Sequence, residues 1–117
     1  MRIKSYKDLI VWQKSFELVL EVYKLTALFP IDEKYGLISQ MRRCSISIPS
    51  NIAEGKYHGT KKDFKRFLVI AFGSGAELET QIEISKQLPL GKDLNYNKID
   101  SLLLEVMKML NKLIATV

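Results

Sequence analysis

The chain has 117 residues, a formal net charge of +5 and a pI near 9.3, with 47% hydrophobic and 26% charged residues. That length supports one core and argues against a second domain, and the composition is neither that of a disordered chain nor collagen-like. One cysteine, Cys44, rules out an internal disulfide, and together with one histidine, His58, it leaves no Cys/His set at zinc spacing.

The segment Met1 to Asp8 lacks the apolar core of a secretory signal, and no run of 18 apolar residues occurs. The expectation is a single cytoplasmic domain over residues 1–117, with no membrane partner.

Between Ser5 and Leu28, the residues Leu9, Trp12, Phe16, Val19 and Tyr23 recur at spacings of three and four. This predicts an amphipathic helix capped by Ser5. Val11, Leu18, Val22, Leu25 and Phe29 form a second stripe about one residue off. Two apolar faces on one helix point to two partners, the chain's own core and another subunit.

Pro30 ends this helix or opens the next, where Asp32 and Glu33 suit a helix N-terminus. Leu37 or Ile38, Met41, Cys44 or Ser45, Ile48 and Ile52 carry a helical stripe through the run from Arg42 to Gly55. Ile46 and Ile48 alternate with serines and also fit a strand, but the helical period holds on both sides. Pro49 then removes one ladder bond and crowds the Ser45 carbonyl, at a cost of about 3 kcal/mol in a regular helix interior. A kink near Pro49 is expected, with the Ser45 and Ser47 hydroxyls turned to the freed backbone. Gly55 or Gly59 supplies the stop.

Thr60 is predicted to cap a third helix, with Asp63 three residues on. Its stripe is Phe64, Phe67, Leu68, Ala71, Gly75, Leu78, Ile82 and Ser85, and the small run from Ala71 to Ala76 invites close helix approach. Pro89 and Gly91 break the chain. Asn95 or Asn97 caps a last helix that buries Ile99, Leu102, Leu103, Val106, Leu110, Leu113 and Val117. The fold class is all-α, an antiparallel up-down-up-down four-helix bundle with short links.

No catalytic residue is assigned, because His58 stands in a lysine-rich, Gly-flanked turn where a buried triad is hard to build. Glu54, Glu77, Glu79 and Glu83 supply carboxylates, yet a ferritin-like metal site needs Glu-x-x-His on two helices, so neither a metal nor another cofactor is expected. Their expected role is structural, with Glu77 or Glu54 pairing with Arg42 or Arg43 within or between subunits.

Charge placement carries the functional expectation. Lys56, Lys61, Lys62, Lys65 and Arg66 face the single Asp63 within eleven residues. Such a cluster is either a solvated helix end, the commoner fate of lysines, or a surface for phosphates whose affinity falls with salt. The sequence shows no obvious aromatic platform for single strands, since Tyr57 is the only exposed candidate nearby.

Taken together, Asp8-Leu9-Ile10-Val11-Trp12-Gln13-Lys14, Leu25-Thr26, Phe29-Pro30, Tyr35-Gly36-Leu37, Gln40-Met41-Arg42-Arg43, Ser47-Ile48-Pro49-Ser50-Asn51-Ile52-Ala53-Glu54-Gly55, Gly73-Ser74 and Glu77-Leu78-Glu79 have a known likeness. The chain resembles the bacterial four-helix-bundle family first named for open reading frames within intervening sequences of 23S ribosomal RNA genes. The resemblance implies a ring-like homopentamer, and most of that family has no demonstrated activity. A related branch, the accessory variability determinant of diversity-generating retroelements, binds nucleic acid and a reverse transcriptase through a basic surface. Carried onto this chain, the resemblance makes Arg42, Arg43, Lys56, His58, Lys61, Lys62, Lys65 and Arg66 the candidate RNA-binding residues. The position after Gly55 that relatives often fill with arginine is held here by Lys56, Tyr57 and His58, a point charge in place of a phosphate fork. The other expectation is a protein-interaction scaffold, or an accessory subunit for a partner such as a reverse transcriptase, with no direct nucleic-acid role.

Overall fold

The computed structural model describes residues 5–117, and they form four long helices with no strand among them. Helix α1 spans Ile10–Thr26, α2 Leu37–His58, α3 Lys61–Gln87 and α4 Asn97–Thr116, with short 3-10 turns at Tyr6–Asp8 and Ile31–Glu33. The neighbours α1–α2, α2–α3, α3–α4 and α4–α1 close a square around one core, in a molecule measuring 50 × 23 × 20 Å.

Contacts between neighbours pair rising numbers with falling ones. Ser47 meets Ser74 and Cys44 meets Gln81 across α2 and α3; Lys14 meets Glu105 and Glu21 meets Lys98 across α1 and α4. Leu18, Met41, Ile48, Ile52, Leu68, Leu78 and Leu110 are fully buried at the centre. Each contributes about 1.5–3 kcal/mol of transfer free energy toward holding the helices together.

The two stripes on α1 divide as two faces, with the second one inward. Val11, Leu18, Val22, Leu25 and Phe29 lie in the core, whereas Phe16 is 48% exposed and Tyr23 38%. Ser5 caps the 3-10 turn and not α1, its hydroxyl accepting from the Lys7 N–H at 3.1 Å. Leu9 is extended, so the helix proper starts at Ile10, four residues later than a cap at Ser5 requires.

Helix α2 runs on through Pro49, and Ile46 to Ile48 are helical. The Ser45 hydroxyl donates to the Arg42 carbonyl at 2.9 Å, and the Ser47 hydroxyl meets Ser74 Oγ at 2.9 Å and the Asn51 amide at 3.0 Å. Neither hydroxyl therefore serves the carbonyl that Pro49 leaves free, a correction to the expected bend chemistry. The serines tie α2 to itself and to α3 instead.

Gly59 ends α2 with φ +85°, the left-handed conformation that glycine adopts without strain. Gly55 lies inside the helix, where an added Cβ would sit 2.7 Å from Phe67 Cβ. In the small run of α3, Gly75 is the close-approach point, since a Cβ there would collide with Met107 Sδ, while Gly73 faces open space. The α3–α4 link is locked by the buried Tyr96, whose hydroxyl donates to the Gly91 carbonyl and lies 2.9 Å from Ser85 Oγ. Asn95 then caps α4 from one residue outside, its Oδ1 accepting from the Asn97 N–H at 2.9 Å.

Candidate nucleic-acid interface

Two residues, Gly59 and Thr60, separate α2 from α3, so the last turn of one helix and the first turn of the other lie side by side. Thr60 has extended backbone and its Oγ1 accepts from the Asp63 N–H at 3.1 Å, which fixes where α3 begins. This hairpin brings Lys56, His58, Lys61, Lys62, Lys65 and Arg66 to one end of the bundle.

These side chains are not alike. The Lys56 ammonium lies 5.3 Å from the centre of the Phe64 ring, and the Arg66 guanidinium 4.4 Å from that of Phe67 while also 3.8 Å from Asp63. His58 stacks on Phe67, with ring centres 5.4 Å apart and planes 12° from parallel, and its Nε2 is 3.9 Å from Glu54. Lys61, Lys62 and Lys65 are exposed and make no ion pair among the described residues.

Helix dipoles sharpen the distinction. Lys56 sits in the last turn of α2, where positive charge is welcome, whereas Lys61 and Lys62 sit in the first turn of α3, where it is opposed. Folding gains nothing from these two cations. Phe64 and Phe67, which hold the neighbouring cations in place, were read from the sequence only as core residues; their spacing relative to Lys56 and His58 becomes meaningful once the hairpin is closed.

Arg42 and Arg43 do not belong to this group. Arg42 is fourteen residues before Lys56 in one helix, or about 21 Å at the α-helical rise. Its Nε donates to Thr26 Oγ1 at 2.9 Å, and its guanidinium lies 4.2 Å from the centre of the Tyr23 ring and within 3.5 Å of the Tyr23 carbonyl. It thus ties α2 to the last turn of α1, adding to a Tyr23 carbonyl that already accepts from the Ala27 N–H at 3.0 Å. Arg43 is exposed and carries no ion pair among the described residues. The expected pairing of Glu77 or Glu54 with either arginine is absent within the chain: Glu54 meets His58, and Glu77 meets no cation among the described residues.

A different surface lies along α1 and α2. An open apolar groove of about 350 Å³ is lined by Trp12, Phe16, Leu20, Ile46, Pro49 and Ala53. Phe16, Leu20 and Ile46 are between 42% and 49% exposed. Cys44 lies outside both surfaces; burial pushes its thiol above the usual range, and the Gln81 amide donates to its sulfur at 3.3 Å, so it is a packing residue with little thiolate. Among the described residues, no three His, Cys, Asp or Glu side chains converge, and no helix is long and apolar enough to cross a membrane.

With this geometry in place, comparison with other proteins adds two findings. The family model described as 23S rRNA-intervening sequence protein matches residues 7–112. A crystal structure of a protein of unknown function from the S23 ribosomal protein family, from Bacteroides thetaiotaomicron, is similar with a TM-score of 0.71. It is 24% identical, and the match covers 90% of this chain and 98% of that one, which speaks to the fold alone. No curated protein matches the sequence.

Proposed function

The chain belongs to the 23S rRNA-intervening sequence protein family, and on that premise we propose that it is an oligomeric, non-enzymatic protein that holds RNA by its phosphates at the α2–α3 hairpin. The observation that carries the proposal is the trio Lys61, Lys62 and Lys65, exposed, without an acidic partner among the described residues, and in part set against the dipole of their own helix. Cations kept where they cost stability fit a role toward an external anion. Lys56 and Arg66, pinned on aromatic rings, widen the positive end around them.

Three free lysines on one subunit give modest, sequence-independent affinity. The half-exposed face of α1 suits assembly into a ring such as the homopentamer, and a ring would repeat the hairpin and multiply weak contacts. Arg42 is left out of the interface because its guanidinium already holds α1.

The test is an electrophoretic shift of RNA by the full chain and by a variant with Lys61, Lys62, Lys65 and Arg66 all changed to Glu. The expected result is a shift that disappears in the variant while the oligomer survives. A shift indifferent to the four changes contradicts the proposal.

The apolar groove favours a second reading, a scaffold that holds a protein partner between α1 and α2 with nucleic acid irrelevant. Capture of a partner that survives nuclease treatment and is lost on Phe16→Glu, from an oligomer of unchanged size, distinguishes it from the first.

A further inference from the structure

Within the RNA reading just given, on which this inference rests, the hairpin carries more than charge. Tyr57 is 85% exposed, and no ring or cation packs against it among the described residues. Its neighbour His58 is pressed against Phe67 on one side, while its side chain keeps 46% exposure. One residue apart on α2, the two side chains leave the helix about 100° from each other, in its last turn and only two residues before α3 opens with Lys61 and Lys62.

We infer that this end of the bundle takes unpaired RNA, with nucleobases stacked on Tyr57 and on the free face of His58 and the adjoining phosphates on Lys61, Lys62 and Lys65. Every base has a flat face, so aromatic rings beside a cationic track hold single strands whatever their sequence. A duplex offers the lysines the same phosphates but hides its base faces in the helical stack, and leaves Tyr57 and His58 without a ligand. Phe67 matters here because it is buried and fixed: it holds the His58 ring flat before any base arrives, so less freedom is lost on binding.

The experiment is fluorescence anisotropy on the full chain with three RNA probes of equal phosphate number: a single strand, the same strand with abasic central positions, and a hairpin duplex. The intact strand is expected to bind about 5- to 100-fold more tightly than the abasic strand. The double variant Tyr57→Ser/His58→Ser should lose a similar factor on the intact strand and nothing further on the abasic one. Tyr57→Phe/His58→Phe should restore single-strand binding. Circular dichroism controls for folding, which these exposed positions leave intact. Equal affinity for intact and abasic strands, or a duplex bound as tightly as the single strand, overturns the stacking inference while leaving phosphate binding in place. Absence of salt-sensitive binding to all three probes overturns both.

Discussion

Arg42, near the start of α2, has its guanidinium turned inward onto Thr26 and the Tyr23 ring, while past the other end of the same helix Lys61, Lys62 and Lys65 stand in solvent with no acid beside them among the described residues. The first kind of cation is engaged in joining α2 to the last turn of α1. The second kind contributes nothing to the fold and is free to grip a ligand. Position relative to a helix terminus, not the count of positive residues, therefore separates charge engaged in packing from charge left in solvent in this bundle.

The comparison is broken most forcefully at Gly55, which lets the hairpin close. Gly55→Leu drives a side chain into Phe67 and Phe64 and should cost about 3 kcal/mol by overpacking, displacing the platform beneath His58 and Arg66. Urea denaturation measures the loss, and an unchanged midpoint would show that the hairpin is looser than described. At the other end, Arg42→Met should cost about 1.5 kcal/mol, because the last turn of α1 loses a charged donor, with RNA affinity unaltered. Thermal melting and binding measured on the same preparation check both halves of that statement.

Changing Lys61, Lys62 and Lys65 to Gln should move stability by less than about 0.5 kcal/mol. Any change should be a gain, since two opposing charges leave the first turn of α3. The smallest effect belongs to a surface carboxylate already tied. The Lys24 ammonium, with Lys98 beside it, holds Glu21 below the ordinary carboxylate range. Its contribution to stability is present above the unfolded value and is lost as pH falls through the depressed one. Glu21→Gln should flatten the acid limb of melting temperature against pH slightly, and a limb as steep as in the parent would assign that sensitivity to other groups.

Much of the fold was legible because apolar spacing reports a helix face directly. The stripe of α3 is buried from Phe67 to Ser85 and that of α4 from Ile99 to Leu110, with Phe64, Leu113 and Val117 at their ends only half-buried, and the Thr60 cap is where it was expected. The two stripes of α1 were equally plausible as core, since periodicity fixes faces but not which face a neighbour covers. Ser5 and Leu9 show a similar limit: a capping residue does not reveal whether a 3-10 turn intervenes. The candidate site was half legible. The local run from Lys56 to Arg66 stays together because a two-residue turn leaves it no choice, but the role of Arg42 depends on a contact sixteen residues back in another helix, which spacing cannot show.

The salt dependence of RNA binding tests the difference between the two ends most directly. For the parent, Lys61→Gln/Lys62→Gln/Lys65→Gln and Arg42→Met proteins, log Kobs is measured against log salt on one single-stranded RNA. With about 0.7 of slope lost per phosphate contact removed, the triple variant should flatten the line by about 2 per subunit engaged, while Arg42→Met runs parallel to the parent. A triple variant that keeps the parent's slope, or a slope that vanishes with Arg42, would contradict the account.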